Sequence, residues 1–213
     1  MTEVRSKFLQ YRTHLSREQA QVVQQYLHRT TLFWNFLLNQ LKPHVDAYMA
    51  EEASEASDHN FLFAAKEAYA QAVGNWVPTD TTGERWDYYL CLIRELPESV
   101  LMNRFDDLIN AFALAKRDRV NKVEKPADLP RRKNWISSQS VRFDDKDLKV
   151  TADGVQINSV FPFSLEFPSN LPVIPSKKYQ LSVTMRRIKS EAEAYGPMEH
   201  DDREYSITLK EAA

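Results

Sequence analysis

The stretch SREQAQVVQQYLHRTTLFWNFLLNQLKPHVDAY, residues 16–48, decides the fold. Ser16 and Gln19 have the spacing of a capping box, in which two side chains satisfy the free backbone N–H groups at a helix start. Behind them, apolar residues recur at helical spacing as far as Leu41, as an amphipathic helix requires. Residues 4–11, just before this stretch, partly alternate polar and apolar side chains and predict a half-buried strand. The sequence therefore predicts a strand followed at once by a long helix.

Size and composition are those of a globular protein, with 213 residues, 43% of them hydrophobic and 27% charged. No run approaches the roughly 18 apolar residues that a membrane span needs, and the N-terminus lacks the apolar core of a signal peptide. The single cysteine, Cys91, excludes an internal disulfide framework and a multi-cysteine zinc site. We therefore expect a cytoplasmic protein without a membrane segment or a cofactor.

Charge is unevenly distributed along the chain, although the formal net charge is only −2. Residues 1–45 carry a net charge of +4 and residues 112–150 a net charge of +5, whereas residues 46–111 carry −9 and residues 151–213 carry −2. A chain of this kind can present basic surfaces locally while it is acidic overall. The same pattern is also compatible with two solvated faces of opposite sign.

Three further helices follow in the first part of the chain. Periodic apolar residues predict them at residues 61–73, where Gly74 suits the C-terminal cap, at residues 86–93 and at residues 97–122. Residues 51–60 fit either the end of the first helix or a loop. The cations at the end of the last helix need no ligand to explain them, because positive side chains are also favourable at the negative end of the helix dipole.

Beyond residue 125 the pattern changes to short alternating segments with turn signals between them. The predicted strands are residues 140–143, 148–150, 155–157, 161–167, 179–185 and 205–209, with Asp153-Gly154 as a hairpin turn. The strand at residues 4–11 has no partner nearby in sequence, so we expect it to join these strands. The predicted fold class is α+β, a small antiparallel β-barrel with a helical-bundle insertion after the first strand. The corresponding domains are residues 1–14, 15–125 and 126–213.

Four segments carry a family resemblance through their order and spacing. Residues 15–19 are similar to a P-T-x-E-Q helix start, and residues 33–38 to an F-V-x-N-x-x-L segment. Residues 96–112 are similar to an L-P-S-x-V-L-Q-x-x-L-x-D-L-x-x-A-F helix, and residues 129–133 to a Y-P-R-F-K connector. Together they resemble the N-terminal half, the wedge and recognition domains, of transposon-encoded TnpB proteins and type V CRISPR effectors.

This resemblance implies an RNA-guided, nucleic-acid-binding module with guide RNA and DNA as partners. In that family a RuvC nuclease domain follows the last wedge strand, and this sequence shows neither its metal-binding aspartate nor a four-cysteine zinc ribbon. We therefore expect a nuclease-deficient module that is not an enzyme, with a possible separate effector or nuclease subunit. The five histidines are scattered, and adjacent acidic pairs such as Asp106-Asp107 diverge on a helix, so no catalytic or metal site is expected.

Candidate nucleic-acid-binding residues follow from the chemistry of the ligand. Lys and Arg contact phosphates, aromatic side chains stack on unpaired bases, and Asn or Arg can pair with base edges. The candidates for backbone contacts and stacking are Lys7, Arg12, Lys116, Arg117, Arg119, Lys122, Arg131, Arg132, Lys133, Trp135, Arg186, Arg187 and Lys189. The candidates for reading base edges, taken from their positions relative to the family motifs, are Asn35, Asn103 and Arg104.

A protein–protein interaction subunit, or an inhibitor of a CRISPR or transposition complex, is the alternative function on the same scaffold. The acidic segment, residues 46–111, favours it because an acidic face can dock on a basic partner or mimic nucleic acid. A helix-turn-helix DNA binder fits less well, since the long helices do not form the required pair of short ones. Clustered cations would favour nucleic acid, and an exposed apolar patch beside the acidic helices would favour a protein partner.

Overall fold

The computed structural model describes residues 8–50, 55–74, 86–134, 139–158, 161–167, 173–187 and 203–211. Its elements, in chain order, are β1 (Phe8–Thr13), α1 (Arg17–Met49), α2 (Glu55–Val73), α3 (Trp86–Arg94), α4 (Glu98–Val120), β2 (Gln139–Phe143), a 3₁₀ turn (Asp145–Asp147), β3 (Leu148–Val150), β4 (Gly154–Ile157), β5 (Phe163–Glu166), β6 (Tyr179–Arg187) and β7 (Arg203–Glu211). None of the helices in these ranges is long and apolar enough to cross a membrane.

The chain divides into two compact units, which we call the β unit (residues 1–28 and 134–213) and the helical unit (residues 29–133). The sequence predicts divisions after residues 14 and 125. The first turns of α1 belong to the β unit because their apolar side chains pack against strand residues. The Tyr26 ring, for example, lies edge-on to Phe143 at 5.0 Å and to Phe161 at 5.8 Å.

Helix α1 begins as its sequence predicts. The backbone N–H of Ser16 donates to Gln19 Oε1 at 2.8 Å, and the backbone N–H of Gln19 donates to Ser16 Oγ at 3.2 Å. The helix then runs for 33 residues, Arg17–Met49, and continues through Pro43. Both the capping box and the long helix are confirmed.

The β unit contains two antiparallel sheets, of order β1-β7-β6-β2 and β3-β4-β5. Strand β1 pairs with β7 from Phe8↔Lys210 to Thr13↔Tyr205, which confirms that the first strand joins the C-terminal strands. The α+β class is therefore confirmed. A closed barrel is not shown by the described strands and stays a prediction.

Alternating side chains of the four-stranded sheet build the core of the β unit. Val141 and Phe143 of β2, and Ile207 and Leu209 of β7, are buried, while their neighbours along each strand are more exposed. This period of two is what a sheet with one buried face requires. The sheet therefore has an apolar inner face and a polar outer face.

The hairpin between β3 and β4 turns at residues 151–154, with Ala152 and Asp153 at its centre, one position before the predicted Asp153-Gly154 turn. Val150 lies opposite Val155, and the backbone N–H of Gly154 donates to Thr151 Oγ1 at 3.1 Å. A Cβ atom at Gly154 would lie 2.4 Å from the carbonyl oxygen of Leu165 in β5. Only glycine permits this close approach of the two strands.

Aromatic packing holds the helical unit together. Phe61 of α2 stacks on Tyr48 of α1 at 4.1 Å and meets Phe112 of α4 edge-on at 5.1 Å. Helix α2 begins at Glu55, so residues 55–60 are helical, and residues 51–54 lie outside the described part of the chain. Helix α3 is held against α2 by Arg94, whose guanidinium donates to two carbonyl oxygens near the end of α2.

Candidate nucleic-acid interface

The outer face of the four-stranded sheet, which we call the polar face, carries a set of charged and hydroxyl side chains. Each of them alternates along its strand with a residue on the inner face. Because successive side chains of a strand point to opposite faces, they all lie on the same side of the sheet. The set consists of Gln10 and Arg12 on β1, Glu204, Ser206, Thr208 and Lys210 on β7, Gln180, Ser182, Thr184 and Arg186 on β6, and Ser140 and Arg142 on β2.

Strand register arranges most of these side chains in two rows that cross all four strands. From β2 to β1 the first row is Ser140, Thr184, Ser206 and Arg12, and the second is Arg142, Ser182, Thr208 and Gln10. Each row has an arginine at one end, and the two arginines lie on opposite edges of the sheet. Three strand spacings separate those edges, a distance of roughly 14 Å.

The polar face is cationic. Arg12, Arg142, Arg186 and Lys210 are opposed on it by Glu204, whose carboxylate accepts from Arg12 Nη1 at 2.8 Å. The Arg12 side chain nevertheless remains 82% exposed. A surface ion pair of this kind is weak, so a phosphate group can compete with Glu204 for the guanidinium.

The aromatic side chains described on these four strands point to the other side. Phe143, Tyr179 and Tyr205 are buried, and the Tyr11 ring packs edge-on against Phe167 at 6.3 Å. Burial raises the pKa of Tyr11 to about 12, so its hydroxyl stays protonated. The described side chains of the polar face thus suit contacts with phosphates and sugar hydroxyls, whereas base stacking needs aromatic rings on the surface.

The connector after α4 is held against α1 by two neighbouring side chains, an arrangement that we call the connector clamp. Trp34 Nε1 donates to the carbonyl oxygen of Arg131 at 2.9 Å. Asn35 Nδ2 donates to the carbonyl oxygen of Lys133 at 3.0 Å, and the backbone N–H of Lys133 donates to Asn35 Oδ1 at 2.9 Å. The amide of Asn35 therefore pairs with a backbone in the way that it could pair with a base edge.

Two cations share the Trp34 ring within the helical unit. Lys133 Nζ lies 3.8 Å from the ring centroid, and the guanidinium carbon of Arg104 lies 5.8 Å from it. Arg104 is buried, and its Nη1 lies 3.8 Å from Asp107 Oδ2. Burial, and then the positive charge of Arg104, lower the pKa of Lys133 to about 8, while Asp107 acts in the opposite direction. Both cations have structural contacts at this position, which were not anticipated from the sequence.

The three predicted base-edge readers are hydrogen-bonded within the protein or are at least partly buried. Asn35 is occupied by the Lys133 backbone, Arg104 is buried against Trp34, and Asn103 is half-buried. An asparagine amide can hydrogen-bond to a base edge, yet the same amide can bond equally well to a backbone. Base reading by these three residues stays a prediction.

The cations at the end of α4 divide into two groups. Lys116 forms an ion pair with Asp58, and its ammonium lies 4.5 Å from the ring centroid of Tyr48, so it holds α4 against its neighbours. Arg117 lies 3.4 Å from Asp118, and Arg119 and Lys122 are exposed. Lys122 follows the C-cap residue Asn121 and has a left-handed backbone conformation, with a φ of 51°.

The remaining candidates are exposed or lie outside the described residues. Arg131 and Arg132 are exposed, with Arg131 at 3.6 Å from Asp128. Lys7, Trp135 and Lys189, and the side chain of Arg187, lie outside the part of the chain that the structure describes. Arg12 and Arg186 are the two candidates that strand register brings to the polar face.

The rest of the polar face was not predicted from the sequence. Arg142 and Lys210 were not proposed, nor were the hydroxyl residues between the arginines. The signal was present in the alternation of the strands, since Arg142 lies between the buried Val141 and Phe143. What could not be anticipated is the register that aligns the strands.

Among the described residues, no cluster of His, Cys, Asp and Glu side chains could hold a metal ion. No protein-family model matches this chain, and no curated protein matches it. The resemblance to TnpB and type V effectors therefore stays a prediction.

Proposed function

We propose that this chain is an RNA-binding module whose polar face holds the backbone of a double-stranded segment in a structured RNA, such as a guide RNA. The observation that carries the proposal is the pair of rows across the sheet, with an arginine at each outer edge and hydroxyl side chains between them. A binding role, with no chemical step, is what such a surface supports.

The shape and chemistry of an RNA double helix fit this face. Its minor groove is wide and shallow, and it displays the 2′-hydroxyls of both strands between two phosphate backbones. Arg12 and Arg142 lie on opposite edges of the sheet, which are roughly 14 Å apart, and are placed to contact one backbone each. Thr184 and Ser206 lie between the two edges and can exchange hydrogen bonds with 2′-hydroxyls.

The helical unit offers further cations for nucleic acid. Arg119, Lys122, Arg131 and Arg132 are exposed at the end of α4 and in the connector. In the wider proposal, which the sequence resemblance implies, these residues contact guide RNA or the DNA that it selects, and a separate subunit supplies any nuclease. The RNA contact of the polar face is the part that can be tested first.

The test compares an RNA duplex of roughly 16 base pairs with a DNA duplex of the same sequence and with the single RNA strand. We expect the RNA duplex to bind at least about tenfold more tightly than the other two, the equivalent of one or two hydrogen bonds to 2′-hydroxyls. Thr184→Val removes one hydroxyl at nearly constant shape. It should weaken binding of the RNA duplex and leave binding of the DNA duplex unchanged.

Salt dependence measures the phosphate contacts. Four cations on the polar face predict a log–log slope of about −3 to −4, or a loss of about 100-fold in affinity between about 50 and about 200 mM salt. Arg186→Gln should reduce the magnitude of the slope by about 1. Lys149→Gln, an exposed cation of β3 outside the polar face, is the matched control and should change nothing. Equal losses in both variants, or no binding of the RNA duplex at low salt, would overturn the proposal.

A further inference from the structure

Among its described side chains, the polar face carries one carboxylate, that of Glu204 on β7. A carboxylate repels the phosphates of a nucleic acid, so a face of cations and hydroxyls would hold RNA more tightly without it. Its ion pair with the exposed Arg12 contributes little to stability, because exposed pairs are weak. Glu204 on an RNA-binding face therefore needs a different explanation.

Glu204 lies on a central strand of the sheet. In the order β1-β7-β6-β2, the edge strands β1 and β2 carry Arg12 and Arg142, the residues placed to contact one RNA backbone each. Strand β7 then faces the groove between the two backbones, where the edges of the base pairs lie. Glu204 is two positions from Ser206 on the same face, or roughly 7 Å along the strand. Its carboxylate therefore faces base edges.

A hollow of about 470 Å³ opens beside Glu204 on the polar face. The side chain of Glu204 is 27% exposed, and Oε1 accepts from Arg12 Nη1 at 2.8 Å. A carboxylate has about four acceptor positions, so this contact leaves capacity for a ligand. A phosphate that takes over Arg12 would release Oε1 as well. The polar residues that line the hollow are Gln10, Arg12, Thr184, Arg186, Glu204 and Ser206.

The minor groove offers one feature that a carboxylate can distinguish. Every base pair presents acceptor atoms there, and a G·C pair adds one donor, the N2 amino group of guanine. A carboxylate only accepts hydrogen bonds, so it binds the amino group and repels the acceptors of a pair that lacks it. The RNA minor groove is wide and shallow, so a side chain on the sheet can reach these edges.

We propose that Glu204 reads guanine in the minor groove of double-stranded RNA, with its carboxylate accepting from the N2 amino group. The polar face then prefers duplexes that place G·C pairs opposite Glu204. This inference rests on the proposed RNA-binding function and adds base specificity to it. Glu204 weakens the general attraction for phosphates and in return selects a sequence.

Four RNA duplexes of roughly 16 base pairs, which differ in the minor-groove amino group, test the inference. Two carry it, in G·C or 2,6-diaminopurine·U pairs, and two lack it, in inosine·C or A·U pairs. We expect the first two to bind about tenfold more tightly than the second two, as one hydrogen bond to a charged acceptor predicts. Melting curves check that all four are double-stranded at the assay temperature.

Glu204→Gln removes the charge at nearly constant size, and its amide donates as well as accepts. The variant should bind all four duplexes with similar affinity, and should bind the two without the amino group more tightly than the parent chain does. Glu166→Gln is the matched control, because Glu166 is an exposed carboxylate on β5, outside the four-stranded sheet. It should keep the parental preference. Circular dichroism checks that both variants are folded.

The outcomes separate this inference from the proposed function. Equal binding of the four duplexes by the parent chain would overturn guanine reading and leave RNA binding in place. No binding of any duplex would overturn both. A preference that persists in Glu204→Gln would assign guanine reading to another residue and overturn the role of Glu204. If Glu204→Gln changes only the preference for RNA over DNA, the carboxylate contacts a 2′-hydroxyl, which also overturns it.

Discussion

The connector clamp predicts a large effect for one substitution, Asn35→Leu. The leucine is close in size to asparagine but has no hydrogen-bonding atoms. It removes both hydrogen bonds to the Lys133 backbone, at 3.0 Å and 2.9 Å, and leaves one N–H and one C=O without this partner. The Trp34 bond to Arg131 remains. The perturbation is therefore confined to the end of the connector.

The magnitude follows from the cost of the two hydrogen bonds. Each contributes about 0.5–1.5 kcal/mol, and a polar group left unsatisfied in a buried place costs more. Asn35 is only half-buried, so water can replace part of what is lost. We expect the free energy of unfolding to fall by about 1–3 kcal/mol.

Urea denaturation of the whole chain, followed by circular dichroism, measures this change through the midpoint at an unchanged slope. Asn110→Leu is the matched control, because Asn110 is exposed on α4. Its stability should stay within about 0.5 kcal/mol of the parent chain. A loss below about 0.5 kcal/mol for Asn35→Leu would refute the clamp. If stability is unchanged while nucleic-acid binding falls, Asn35 acts as the base-edge reader that its sequence position suggested.

Three further predictions concern the turn, the helix cap and the buried lysine. Gly154→Ala should destabilise the β unit by about 1–3 kcal/mol, since its Cβ would lie 2.4 Å from the Leu165 carbonyl oxygen. Lys122→Gly should stabilise the helical unit by about 1 kcal/mol, because glycine adopts the φ of 51° without strain. For Lys133, a folded-state pKa of about 8 against an ordinary 10.5 means that the unfolded chain binds more protons between these values, so stability should rise with pH across this window. Lys133→Met should remove that rise.

Urea midpoints of the parent chain and of each variant check these predictions. Gly154→Ala at parental stability would mean that the two strands can separate freely at the turn. If the Lys122→Gly variant is less stable than the parent, the Lys122 side chain stabilises the fold by more than its left-handed backbone conformation destabilises it. For Lys133, the difference between the parent and Lys133→Met at pH 8 and at pH 10.5 is the relevant quantity, because other groups titrate in the same range. Identical pH dependence in the two chains would contradict a lowered pKa of the lysine.

Local patterns in the sequence determined the elements and much of their order. The capping box at Ser16 and Gln19, the helical spacing behind it and the hairpin turn at residues 151–154 each depend on residues a few positions apart. Such short-range patterns can be recognised without knowing how the rest of the chain folds. Even the placement of β1 with the C-terminal strands followed from its lack of a neighbour in sequence.

Tertiary structure alone decided which side chains meet. The polar face exists because register aligns Arg12 with Ser206 and Arg142 with Ser182 across distant strands, and a shift of one residue would turn each of them to the other side. Asn35 and Lys133 are 98 residues apart, and no local pattern distinguishes an amide that clamps a backbone from one that reads a base. Residue type sets what a side chain can bind, and long-range packing selects the partner.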